Sequence, residues 1–270
     1  VGHQAAAGVK NGTVTDIEAA EAAIRRAVHA AEDMAAEALR GFPLREVVVS
    51  VPGNLASSVL VNIDVGIQGQ PVYDLEVRRA LAKAQDQVAQ ADRELIHTIA
   101  AGYAIDGHGG IRDPRGMVGE NLLVAVHIVA GAVSPLKNMA MAIESSHLDI
   151  TALCSSAYAA GLASLVEDEM DLGCTVIDMG GGVTSLAVFH GGNLIHTDAI
   201  PVGGQHVTSD IARGLTTSLS AAERLKSLYG SAMALSSDQS EMIDVPQVGE
   251  DSSAPPSHVP RSLLVGIIQP

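Results

Sequence analysis

Three consecutive glycines, Gly180-Gly181-Gly182, stand between an apolar run that ends in a carboxylate, Thr175-Val176-Ile177-Asp178, and a second run, Ser185–Phe189. This arrangement predicts a hairpin: a buried strand, a turn with no side chains, and a second strand. Glycines accept dihedrals closed to other residues and leave backbone amides uncovered, so such a turn can bring N–H donors against the oxygens of a phosphate chain. Asp178, at the end of the first strand, is placed to hold magnesium through the ion's water shell, because Mg²⁺ keeps several waters. Taken alone, the turn favours a plainer reading, a tight hairpin beside a solvated Asp178.

Two features downstream shift the balance. After a second turn, Gly191-Gly192-Asn193, and a third strand, Leu194–Ile200, the pair Gly203-Gly204 opens a helix through Val207, Ile211 and Leu215. A helix start there offers a further set of free N–H groups to an anion. Ser220 is read as the cap of a helix over Ala221–Tyr229, in which Glu223 and Lys226 share one face. As a surface ion pair they contribute only about 0.3–0.5 kcal/mol. As a functional pair they would grip the ribose and base of a nucleotide.

The rest of the chain has the rhythm of an α/β layer fold. Helices are read over 13–39, 74–91 and 157–169, with another starting at Ser134-Pro135, and strands over 46–51, 58–65, 93–99, 122–130 and 150–154. Gly102–Gly119 reads as loop, and 236–260, rich in Ser, Pro, Asp and Glu, as a mobile loop. Leu122–Ala130 is apolar enough for a strand covered on both faces. Sixteen Lys and Arg against 31 Asp and Glu leave a formal net charge of −15. That balance argues against nonspecific binding to nucleic acid or anionic lipid. Two cysteines make no disulfide framework, and no Cys/His spacing points to zinc. His97, His127 and His196 read as satisfied structural residues in strands, His206 as a cap-region residue, Cys154 and Cys174 as inert buried thiols, and Glu167-Asp168-Glu169 as a solvated helix end.

The set Asp178-x-Gly-Gly-Gly, Val202-Gly203-Gly204 and Ala222-Glu223-Arg224-Leu225-Lys226 resembles the actin-like ATPase superfamily. Within it the chain is similar to the FtsA family of bacterial cell-division proteins. The stretches that carry the likeness include Gly8-Val9-Lys10-Asn11-Gly12, Asp113-Pro114-Arg115-Gly116-Met117, Gln205–Leu215 and Val259-Pro260-Arg261-Ser262-Leu263. The resemblance implies an α/β chain with the actin-like (ribonuclease H-like) nucleotide-binding fold and an inserted FtsA-specific α+β subdomain, incomplete at both ends. It implies four parts: 1–98 as the inserted, SHS2-like subdomain, 99–172 as the remainder of the first actin-like subdomain, 173–213 as the second-half core with the phosphate-binding hairpin, and 214–270 as a truncated outer subdomain.

By the same resemblance, ATP and Mg are the expected ligands, with Asp178, Gly180, Gly181, Gly182, Gly203, Gly204, Glu223 and Lys226 at the nucleotide and Asp178 at the metal. The expected partners are FtsZ, further copies of the chain in filaments, and later division proteins, on the cytoplasmic side of the inner membrane at the septum. The family's first phosphate hairpin is expected before Val1, and its adenosine motif and amphipathic membrane helix beyond Pro270. Val183 stands where the family commonly has Thr. Cys154-Ser155-Ser156-Ala157-Tyr158 has no carboxylate or amide to orient an attacking water, so hydrolysis is expected to be weak at best. The alternatives on the same scaffold are a small-molecule kinase and an inactive structural relative. The kinase would need an acid for the substrate hydroxyl and a pocket richer in aromatics than two Phe and four Tyr allow.

Overall fold

The computed structural model describes residues 1–248 and 257–269, which divide into two compact units. The first holds 1–179 and 183–201; the second holds 180–182 and 202–270. The boundary therefore passes through the glycine hairpin itself.

In chain order the first unit runs β1 (Val9–Lys10), β2 (Thr13–Val14), α1 (Ile17–Met34), α2 (Ala36–Leu39), β3 (Glu46–Val51), β4 (Ala56–Gly66) and α3 (Asp74–Val88). It continues with β5 (Arg93–Ile105), β6 (His108–Ile111), β7 (Asn121–Ala132), α4 (Val133–Glu144), β8 (Asp149–Ser155), α5 (Ser156–Ser164) and α6 (Glu167–Leu172). It ends with β9 (Cys174–Met179), β10 (Thr184–His190) and β11 (Asn193–Ile200).

Its largest sheet is four-stranded and antiparallel, in the order β4-β7-β5-β6. β7 lies inside it, and its apolar run is covered on both faces as its composition requires: Leu122, Val124, Val126, His127, Ile128 and Val129 are all fully buried. Alternation sends Leu122, Val124, Val126 and Ile128 toward α3, where they meet Val77, Ala80 and Ala84. His127 and Val129 fall on the opposite face, where β11 packs. β3 and β8 pair in parallel, and β11-β10-β9 form an antiparallel meander. The β10–β11 turn needs its glycines, since Gly191 and Gly192 have φ of 57° and 77°.

Several sequence expectations are corrected. β5 runs on through Gly102 to Ile105, and a hairpin follows where a loop was expected; a register shift between Ala100 and Gly102 absorbs the glycine. The helix expected over 157–169 breaks at Leu165-Val166, both extended, and restarts because the Glu169 carboxylate accepts the Val166 amide at 3.1 Å. β9 is an edge strand, not a buried one: Ile177 and Met179 are 62% and 79% exposed. α4 begins at Val133, ahead of the cap expected at Ser134.

The second unit holds α7 (Gly204–Gly214), α8 (Leu219–Tyr229), β12 (Met242–Val245), β13 (Ser257–Pro260) and α9 (Arg261–Ile268). Its core joins Ile211, Leu215, Ala222, Leu225, Ile243, Val245 and Leu264. Ser218, not Ser220, caps α8, accepting the Ala221 amide at 3.2 Å. The stretch read as a mobile loop is structured wherever it is described. β12 pairs with β13, and the buried Asp238 carboxylate sits 3.0 Å from Arg261 Nη1, which also lies 3.1 Å from Glu241. Residues 249–256, in the same expected loop, lie outside the described residues.

Candidate nucleotide-binding site

β9 and β10 carry the chain into and out of the glycine turn, and Asp178 is paired in register with Ser185. The Asp178 carboxylate is half-buried and has no hydrogen-bond partner among the described residues, so its lone pairs remain available to a hydrated cation.

In the second unit, the turn is tied to the start of α7 by its carbonyls. The Gly204 amide donates to the Gly180 carbonyl at 3.0 Å, and the Gln205 amide donates to the Gly181 carbonyl at 2.7 Å. Two of the first-turn amides of α7 are thereby spent on the turn, and the expectation that they stay free for an anion is corrected. The amides of Gly181 and Gly182 meet no acceptor among the described residues, and Gly180 and Gly181 are exposed. The donors open to a ligand are thus the turn's own. No glycine of the triplet has a positive φ, so the residue type serves by leaving space and not by supplying an unusual dihedral.

Space also dictates Gly203. Its backbone is extended (φ −164°), a conformation open to any residue, but a Cβ there would lie 2.4 Å from the Gly180 carbonyl oxygen and 2.7 Å from that of Gly181. Only glycine lets the two segments approach so closely.

Glu223 and Lys226 form more than a surface pair. Lys226 Nζ donates to Glu223 Oε2 at 2.7 Å, to Thr208 Oγ1 at 2.8 Å and to the Gly204 carbonyl at 3.1 Å. The Thr208 hydroxyl also lies within donating distance of Glu223 Oε2. The Lys226 and Thr208 hydrogen bonds hold the Glu223 carboxyl below its ordinary range. α8 is thereby linked to the first turn of α7: Gly180, Gly204, Glu223 and Lys226 are joined by hydrogen bonds, Gly181 is tied to the adjacent Gln205, and Gly203 is brought to them by close packing alone. Thr208 and the Gln205 amide were missed as members; a threonine one turn past Gly204 was the available signal.

Elsewhere, His97 Nε2 accepts the Ser155 amide at 3.0 Å, consistent with a structural role, and burial raises the Cys154 thiol. No cluster of His, Cys, Asp and Glu among the described residues could hold a metal ion by itself. No helix among them is long and apolar enough to cross a membrane.

Comparison with known proteins gives a consistent picture. The family model of cell division protein FtsA matches residues 175–266, and that of the SHS2 domain inserted in FtsA matches 53–130. Cell division protein FtsA of Agrobacterium fabrum is 44% identical over 271 residues, a match covering 100% of this chain and 60% of the relative. That of Rhizobium meliloti is 41% identical over 269 residues with the same coverage, and that of Bacillus subtilis is 35% identical over 251 residues, covering 92% and 56%. The chain thus spans about 60% of the length of the first two relatives. Among solved structures, the PilM–PilN type IV pilus biogenesis complex aligns with a TM-score of 0.58 at 21% identity, over 82% of this chain and 59% of the other. MreB5 of Spiroplasma citri bound to ADP aligns with a TM-score of 0.50 at 17% identity, over 97% and 55%. The fold is the actin-like nucleotide-binding fold.

Proposed function

We propose, on the premise that the chain belongs to the FtsA family of cell-division proteins, that it binds ATP as a conformational ligand within a polymerising division adaptor. The observation that carries this reading is the glycine turn, exposed at Gly180 and Gly181 and held by their carbonyls, in which the amides of Gly181 and Gly182 meet no acceptor among the described residues. Those amides would take phosphate oxygens, which accept charge-assisted bonds from backbone N–H groups. Asp178 would hold Mg²⁺ through water, and the cation would neutralise phosphate charge. Glu223 would accept from ribose hydroxyls, and Lys226 would hold it in place while resting beside the base.

No carboxylate or amide lies in Cys154–Tyr158 to orient a water, so hydrolysis is weak at most. In this reading ATP sets the conformation that assembles. The complete protein would join FtsZ filaments to the cytoplasmic face of the inner membrane at the septum, through an amphipathic helix outside this chain, and recruit later division proteins.

A fluorescent ATP analogue with Mg²⁺ tests the nucleotide half: the wild type should bind, and Lys226→Ala should weaken binding at least tenfold. No binding at millimolar analogue would leave an inactive scaffold. Pelleting with FtsZ filaments tests the adaptor half, and phosphorylation of a small molecule without co-pelleting would favour the kinase.

A further inference from the structure

The N-terminus of α7 is closed in an unusual way. The third residue of a helix often reaches back to accept the amide of the residue before the helix, and Glu or Gln usually does this. Here the third residue is His206, and its Nδ1 accepts the Gly203 amide at 3.1 Å. The His206 amide in turn donates to the Gly203 carbonyl at 2.9 Å. Gly203 is also the residue wedged against the Gly180 and Gly181 carbonyls, with no room for a Cβ. The imidazole therefore fixes the residue on which the glycine turn rests.

We propose that His206 is a positioning residue that locks the glycine turn for nucleotide binding only while its Nδ1 is unprotonated, making ATP affinity fall as the ring takes up a proton. This rests on the nucleotide reading above. A Gln in its place would accept the same amide with no proton to gain, whereas an imidazolium has two donors and no acceptor. Loss of the bond frees the Gly203 amide and leaves Gly203 held to α7 by its carbonyl alone, bonded to the His206 amide, so the residue wedged against the glycine turn loses one of its two ties.

The other charged groups on the elements packed here are engaged elsewhere, apart from the exposed Arg224. α8 brings Glu223 and Lys226, bonded to each other and to Thr208, and the exposed Arg224. α9 brings Arg261, held by Asp238 and Glu241. α7 itself carries Asp210 and Arg213, 3.9 Å apart, and the glycine turn carries no charge.

The experiment compares the 270-residue wild type, His206→Gln and His206→Ala at pH 8.0 and pH 5.5. It measures binding of a fluorescent ATP analogue with Mg²⁺ and, without nucleotide, exchange protection of the Gly203 amide. Between the two pH values the wild type should lose about 3–10-fold more affinity than His206→Gln, the span of one net hydrogen bond. Its Gly203 amide should lose protection at pH 5.5, after correction for intrinsic exchange, while that of His206→Gln does not. His206→Ala should be weak at both pH values, with the Ile211 and Leu225 amides still protected as proof of folding. Equal pH dependence in wild type and His206→Gln overturns the proposal and leaves the nucleotide reading intact. Absence of wild-type binding at pH 8.0 overturns the nucleotide reading and this proposal with it.

Discussion

Ser58 and Thr197 are joined twice through one hydroxyl: Ser58 Oγ donates to the Thr197 carbonyl at 2.8 Å and accepts the Thr197 amide at 3.1 Å. A side chain on β4 thus does for β11 what a neighbouring strand's backbone would do. Ser58→Ala should leave both Thr197 groups partly buried and unpaired and cost about 1–3 kcal/mol. Urea unfolding reads the loss, and Ser58→Thr, which keeps the hydroxyl, should recover much of it. A destabilisation equal in both variants would show that size, not the hydroxyl, matters there.

His127 is fully buried on β7, and the expectation of a satisfied ring is corrected: neither ring nitrogen has a hydrogen-bond partner among the described residues. Burial first, and then the nearby His196 and His97, push its pKa from 6.5 down to about 4. The folded value lies below the unfolded one, so the associated stability is fully present above about pH 6.5 and drains away as the pH falls toward 4. His127→Leu removes a desolvated polar ring that has no partner to lose. It should raise stability by roughly 1–3 kcal/mol at pH 7. Its urea midpoint should also fall less than the wild type's between pH 7 and pH 5; parallel declines would clear His127 of the acid sensitivity.

Gly161 on α5 faces the ring of Phe189 on β10, and a Cβ there would stand 2.4 and 2.5 Å from two ring carbons. Gly161→Ala should overpack this contact and cost about 1–3 kcal/mol. Combined with Phe189→Leu, the two losses should total less than their sum, because the smaller side chain makes room for the methyl. Strict additivity in a double-mutant cycle would place the cost elsewhere.

Lys226 is the largest cause of the low Glu223 pKa. In Lys226→Met, the Glu223 carboxyl should titrate closer to ordinary values, read directly by carbon NMR. The Glu223 side chain is 53% exposed, so the ion pair itself contributes little to stability, and any larger loss in Lys226→Met reports the part-buried bonds to Thr208 and the Gly204 carbonyl. An unmoved Glu223 titration would mean that Thr208 alone sets it.

What the sequence reveals here follows the range of the interactions involved. The glycine turn, the helix from Gly203-Gly204 and the covered strand around Val124–Ile128 are written in residues a few positions apart. The strand through Gly102 is hidden because a glycine reads as a breaker until its neighbour strand is known. Asp238 reads as loop because its partner, Arg261, lies 23 positions on. The engaged amides of Gly204 and Gln205 are hidden for the same reason: their acceptors, Gly180 and Gly181, sit beyond two intervening strands. In α8 the choice between Ser218 and Ser220 turns on one hydrogen bond that composition does not distinguish.

The glycine turn's grip on α7 has a mechanical consequence. A peptide tip fastened by two carbonyls to a helix whose other side carries Ile211 into a packed core is no slack ribbon; it is the short arm of a crank. Whatever seats itself at that tip therefore leans on a helix anchored in packed side chains, not on a free strand of backbone.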